Sequence, residues 1–230
     1  MQFKRGTSGR GLMRAAKHLI DSTAAGIVGL ALATALLAQG QRGYQQIYNF
    51  GAAVAPTSLT GTGNTLYGAA QSGGSQGVGF VYALTLPETH GGPWTYTTLY
   101  NFGSTPSDGT SPYAVSIGGY SNGLPVLYGT TQGGGKYSKG TVFSLVPPQT
   151  PGGAWTEHVL HSFHGADGWG PLAPLAVDLR NGELPVLYGT TGQGGASYGV
   201  TSPFGAGAVF SLTPPATQGG TWTESVLTAS

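Results

Sequence analysis

The chain has 230 residues, 42 of them glycine and 15 proline, with charged side chains at 7% of positions and no cysteine. The missing thiols exclude disulfide scaffolds, thiolate zinc sites and thiol nucleophiles. The formal charge of +1 is uneven: Lys4, Arg5, Arg10, Arg14 and Lys17 crowd the first seventeen residues, whereas four basic residues face seven acidic ones after residue 40, a balance of −3 (4 − 7) that leaves no basic footprint for nucleic acid. Glycine and proline at this level accompany low complexity in some chains. Here they punctuate short runs of aromatic and β-branched residues, the arrangement that tight turns between short strands require.

The first forty residues read as an export signal. The basic stretch precedes an uncharged apolar run, Ala24 to Ala38, and Ala38-Gln39-Gly40 puts small residues at −3 and −1 of a cleavage site before Gln41. The run is shorter than the roughly twenty residues needed to span a bilayer. Residues 1–40 are therefore expected to be a signal peptide, with a start at Met13 giving a more ordinary basic region. The expected destination is extracellular, periplasmic or the cell surface, with no membrane attachment expected after cleavage.

The rest of the chain repeats itself. Trp94, Trp155 and Trp222 open WTYTTLYNF, WTEHVLHSF and WTESVL, spaced by 61 and 67 residues. PVLYGTT at 125–131 recurs at 185–191, with a weaker TLYGAA at 65–70. GFVYALTLP at 79–87, GTVFSLVPP at 140–148 and GAVFSLTPP at 207–215 form a third set. These landmarks divide residues 41–230 into repeats of approximately 44–94, 95–155 and 156–222, with a truncated fourth from 222. Each repeat offers four short strands: one after the Trp, one before the Asn-Gly turn, the PVLYGTT run and the TVFSL run. Asn122-Gly123 and Asn181-Gly182 are hairpin signals. Apolar residues at both alternating positions, as in Val126-Leu127-Tyr128, predict strands buried on both faces. No sustained helical period follows the leader. The expected fold is all-β, built of tandem four-stranded units like the blades of a β-propeller. It is expected to be open or incomplete, with three full repeats plus a terminal strand.

The VLYGTT…GG…GTVFSL and LHSFHGADGWGPLAPL segments resemble the Gloeo/Verruco tandem-repeat family of exported bacterial proteins, over roughly residues 44–228. The most specific parts are Leu187-Tyr188-Gly189-Thr190-Thr191 and Phe163…Gly165…Asp167-Gly168…Pro171, echoed by Phe102, Asp108-Gly109 and Pro112. The first copy departs, since Phe50-Gly51 leads into AAVAPTSL without an Asp-Gly pair. The resemblance implies export and a propeller-like β fold, and no defined reaction.

YQQIYNF at 44–50 and WTESVL at 222–227 belong to the same strand type. A propeller closed by strand exchange needs different types from its two termini. The pattern points to a truncated product or to one protomer of an assembled ring, with unpaired strand edges favouring self-association.

Candidate chemistry is sparse. His158, His161 and His164 resemble a ligand cluster, but regular alternation places 158 and 164 on one face and 161 on the other. Asp108 and Asp167 recur inside Asp-Gly, where a carboxylate either caps turn amides or, more weakly, contributes to a calcium site. Glu157 and Glu224 occupy equivalent positions, which speaks for structure over a glycosidase pair. No G-x-S-x-G elbow occurs, and the glycines of 73–77 do not open a helix. Three of the four Trp are repeat landmarks. Trp169, in the loop after Asp167-Gly168, has no counterpart in the other repeats and is the first choice for a binding surface, followed by Asp167, His164 and Asp108. No catalytic or metal-ligating residue is assigned, and no cofactor is expected beyond that weak possibility of calcium. The expected function is a non-enzymatic exported module that binds an extracellular polymer, glycan or protein. The alternatives are a secreted carbohydrate-active hydrolase or lyase, for which His164, Asp167 and a second-repeat acid must converge, and a fragment of a longer repeat protein.

Overall fold

A computed structural model describes residues 46–228 except 90, 181–183 and 218. The leader at 1–40 and the Asn181-Gly182 turn lie outside the described residues. The described residues form twelve strands: β1 (Pro56–Thr62), β2 (Thr65–Ala70), β3 (Phe80–Thr85), β4 (Thr95–Asn101), β5 (Gly109–Ser121), β6 (Leu124–Gly134), β7 (Thr141–Val146), β8 (Thr156–Ser162), β9 (Ala176–Asp178), β10 (Val186–Thr191), β11 (Ala208–Thr213) and β12 (Thr223–Thr228). They form three four-stranded sheets in sequence order, β1 to β4, β5 to β8 and β9 to β12, each antiparallel throughout and none closed into a barrel. No helix occurs among the described residues.

Local sequence accounts for the hairpins and the register. Asn122 and Gly123 adopt φ of 52° and 76°, the left-handed pair of a two-residue turn whose twist matches the flanking strands. The glycine of the YGTT motif has a packing reason. Gly68, Gly129 and Gly189 pair across strands with Tyr82, Phe143 and Phe210, and a Cβ at each glycine would run into that ring. A bulge recurs at one place in all three sheets, at Val81/Tyr82, Val142/Phe143 and Val209/Phe210.

The phase of the repeat differs from the sequence landmarks. Each strand that follows a Trp pairs with the VFSL-type strand before it, so β4, β8 and β12 are the fourth strands of their sheets. The strand opened by Trp222 is the fourth strand of the third sheet. Residues 46–50, of the same sequence type, form no strand. Tyr48 and Phe50 pack instead on the first sheet.

The sheets stack face to face in series. Tyr67, Val81 and Ala83 of the first meet Val115, Leu127, Phe143 and Leu145 of the second around Phe102. Tyr128 and Val142 of the second meet Leu175, Leu187, Phe210 and Leu212 of the third around Phe163. The two joints match closely. Phe102 lies 5.0 Å from Phe143 and Phe163 lies 5.1 Å from Phe210, both edge-on, while Tyr67–Trp155 and Tyr128–Trp222 are each 6.3 Å apart. Alternating residues of the middle sheet thus face opposite joints, which is why its strands are apolar on both faces.

Candidate binding cleft between repeats

Each joint opens at one end onto two loops, one before the VFSL-type strand and one after the post-Trp strand. Backbone hydrogen bonds fix which residues are equivalent. Phe102 N donates to Gly79 O and Phe163 N to Gly140 O, each at 3.0 Å, while Ser111 N donates to Val78 O and Gly170 N to Lys139 O. Ser138 N donates to Gly135 O as Tyr198 N does to Gly195 O. Thr110 therefore corresponds to Trp169, Val78 to Lys139 and Ser138 to Tyr198. Trp169 has a structural counterpart after all, although not an aromatic one.

The two Asp-Gly carboxylates anchor these loops. Asp108 is 4% exposed, and its Oδ2 accepts from Gly103 N (2.8 Å), Ser104 N (3.1 Å), Tyr100 Oη (3.0 Å) and Ser104 Oγ (3.3 Å). Asp167 is 6% exposed, with Oδ1 accepting from His164 N (2.8 Å) and Gly165 N (3.2 Å) and Oδ2 lying 2.8 Å from His161 Nε2. Both satisfy the amides of a turn that would otherwise be orphaned. No hydrogen bond joins the two aspartates, and each serves its own joint. Burial alone would raise the Asp167 carboxyl. The bond from His161, the backbone bond from His164 and the charges of both imidazoles outweigh burial and hold it below the ordinary carboxylate range.

The three histidines do not follow simple alternation. The bulge opposite Val142 and Phe143 shifts the parity of β8, and the strand ends at Ser162. The chain leaves the strand between His161 and His164, so both reach Asp167, the latter with Nδ1 3.5 Å from Oδ1, while His158, before the bulge, is exposed opposite Ser144. Among the described residues, no group of three or more His, Cys, Asp or Glu side chains is arranged to hold a metal ion.

Sequence reasoning treated Glu157 and Glu224 as structural, and the structure adds a chemical detail. Glu157 is pushed up to about 7 by burial, then by the charge of Asp108, and its Oε1 is buried without a hydrogen-bond partner. Glu224 is raised by burial and by Asp167, against the pull of His161 and His164, and its Oε1 is likewise unpartnered. Burial and the two carboxylates also push Tyr100 up to about 12, against a lowering hydrogen bond from Ser104. The first sheet carries neither acid at these positions: Tyr48 and Tyr96 stack there at 4.8 Å. The signal available in sequence was the recurrence of Trp-Thr-Glu at 155–157 and 222–224.

The elevated Glu157 has a measurable consequence. A carboxyl raised in the fold favours the folded state when protonated, so its contribution is complete below the unfolded pKa and is lost as pH climbs through about 7. Partial exposure discounts the full shift to about 1–2 kcal/mol. Glu157→Gln should therefore raise the melting temperature at pH 8 by a few degrees and leave it unchanged near pH 4. Thermal unfolding across that range checks this; equal shifts at both ends would contradict it.

A cleft of about 500 Å³ occupies the first joint, lined by Gln76, Val78, Gly103, Thr110, Ser138 and Asp108 together with Thr105, Pro106, Gly134 and Gly135. At the second joint the equivalent positions carry larger side chains: Tyr137 for Gln76, Lys139 for Val78, His164 for Gly103, Trp169 for Thr110 and Tyr198 for Ser138. These side chains pack on one another. Lys139 Nζ sits 4.0 Å from the Trp169 ring centre and 5.1 Å from that of Tyr198, and Tyr137 meets His164 edge-on at 5.9 Å. The first joint carries a cleft where the second carries larger side chains in contact with one another. Asp108 lines the cleft, while Trp169, Asp167 and His164 belong to the second joint.

No curated protein and no solved structure matches the chain. Residues 38–227, which span all three sheets, match the Gloeobacter/Verrucomicrobia repeat, and the chain belongs to that family.

Proposed function

We propose that this chain is an exported, non-enzymatic repeat module whose three sheets are arranged as propeller blades, and that it binds an extracellular ligand, a glycan or another polymer, in the cleft of the first joint. The observation that carries this reading is the contrast between the joints. The first joint carries a smaller residue than the second at each of five equivalent positions, which leaves room for a ligand where the second joint places aromatic and basic side chains. Export is supported by the basic and apolar leader followed by small residues. A hydrolase reading gains little. The raised Glu157 is not part of the cleft lining, and the carboxylates of the two joints are anchored separately.

The test is a glycan array carrying neutral, amino-sugar and uronic-acid oligosaccharides, probed with the wild-type chain and with Val78→Lys/Thr110→Trp, which gives the first joint the filling of the second. Binding by the wild type, reduced at least tenfold in the double variant with an unchanged circular dichroism spectrum, supports the reading. Equal binding by both proteins, or none by the wild type, overturns it. A signal lost in Trp169→Ala and kept in the double variant would move the site to the second joint.

A further inference from the structure

Each internal joint is built from two halves. One half is the outward face of a sheet: Tyr67 and Val81 with Leu99 in the first, Tyr128 and Val142 with Leu160 in the second. The other half is the inward face of the next sheet together with the phenylalanine that precedes it, Phe102 or Phe163. Each of these halves closes the other: Val81 and Val142 are both 0% exposed, and Tyr67 and Tyr128 are 4% and 2% exposed.

Among the described residues, both halves recur once without a partner. The outward face of the third sheet carries Tyr188, Val209 and Leu227 at the same register positions. Val209 is 37% exposed and Leu227 is 51% exposed, and Tyr188 is only half-buried. At the other end, the inward face of the first sheet (Leu66, Tyr82, Leu84) is covered by Phe50, Tyr48 and Ile47, which remain half-buried themselves. Phe50 touches Tyr82 at 4.7 Å edge-on, as Phe102 touches Phe143 at 5.0 Å and Phe163 touches Phe210 at 5.1 Å. Among the described residues, this end has the parts of a joint with no outward face set against it.

We infer that the outward face of the third sheet docks on the Phe50 end of a second copy of this chain, rebuilding a joint of the kind found twice within each copy. The occupant follows from complementarity. The partner that fits Tyr188, Val209 and Leu227 has a half-buried phenylalanine over an aromatic-rich sheet and a tryptophan facing the tyrosine, and this chain presents that set at Phe50, Tyr82 and Trp94. The contact joins unlike surfaces, so it propagates unless rotation closes a ring. Two copies contribute 2 × 3 = 6 sheets, inside the range of roughly four to eight blades that closed propellers use, and a third copy would exceed it. The assembly is a closed dimer with two identical joints. The dimer rests on the blade arrangement proposed above and not on the ligand cleft.

Light scattering on the purified chain tests the stoichiometry, with the protomer mass taken from denaturing mass spectrometry. A concentration-independent mass of twice the protomer supports the dimer. A protomer mass at every concentration, or an open-ended mass distribution, overturns it. Val209→Arg and, separately, Leu227→Arg should each convert the dimer to protomer with unchanged circular dichroism, since both positions are exposed within one copy. The absence of cysteine permits a direct check of pairing. A mixture of Tyr188→Cys and Trp94→Cys chains, treated with a short bis-maleimide, should give the crosslinked heterodimer. Each variant alone should give far less. Crosslinking no better in the mixture than in either variant alone would show that a different surface makes the contact.

Discussion

Phe163→Ala should lower the unfolding free energy by about 3–5 kcal/mol, among the largest effects available at a single position in this fold. The ring is 0% exposed and lies between the second and third sheets, 5.1 Å from Phe210 and 4.8 Å from His161. Removing it leaves a cavity that two rigid sheets cannot collapse to fill, so the loss exceeds simple transfer of the side chain to water. The comparison with Phe50→Ala sharpens the prediction. Phe50 occupies the equivalent position but is only half-buried within one copy. Measured on a protomer kept apart by Val209→Arg, its removal should cost less than half as much as the Phe163 change. Urea denaturation at neutral pH checks both. Equal losses would mean that Phe50 already sits in a complete joint.

The second large effect is expected at Gly134. Its φ is +72°, and an added Cβ would lie 2.5 Å from Asp108 O and 2.7 Å from Thr110 N. Those neighbours are backbone and cannot rotate away, so the strand end and the Asp108 loop must separate. Gly134→Ala should cost about 3 kcal/mol or more, combining left-handed strain with overpacking. Gly123→Ala provides the control. Its φ is +76° with nothing within 4 Å, so strain acts alone and the cost should be about 1 kcal/mol. Because Gly134 and Asp108 both line the cleft, the Gly134 variant should also weaken any ligand bound there, whereas the Gly123 variant should not. Similar losses of stability for the two variants would argue against the close approach at Gly134.

The sequence was most legible where one residue type answers one local demand. Asn122-Gly123 forms the turn its chemistry favours, and the strands of 125–131 and 141–146 are buried on both faces as their double apolar pattern indicates. The YGTT glycine was visible as a landmark, but its reason was not, because the ring that demands it comes from the neighbouring strand. The phase of the repeat was not legible either. A Trp at the head of a strand marks a boundary in sequence without saying which neighbour the strand will pair with, and hydrogen bonding assigns it to the sheet before.

The candidate site was harder to read for a related reason. Trp169 stood out as unmatched because the loops differ in length: Asp108 follows Tyr100 by eight residues, and Asp167 follows His161 by six. Only the bonds from Ser111 to Val78 and from Gly170 to Lys139 bring Thr110 and Trp169 into correspondence. The cleft depends on the combined volume of side chains from loops far apart in sequence, such as Gln76, Thr110 and Ser138, and no single motif records it. The histidines illustrate the opposite failure. Regular alternation separated His161 from His164, but the strand ends at Ser162 and the turn that follows brings both to Asp167.

The most direct measurement is a high-resolution crystal structure read at the two joints. At the first, Thr110 and Ser138 should border ordered solvent, with no side chain crossing the space between them. At the second, Lys139 should lie over Trp169 with no solvent beneath it. A first joint closed by Gln76 or Thr110, or a Lys139 swung away to leave two open clefts, would contradict the claim that one joint is kept open while its twin is filled.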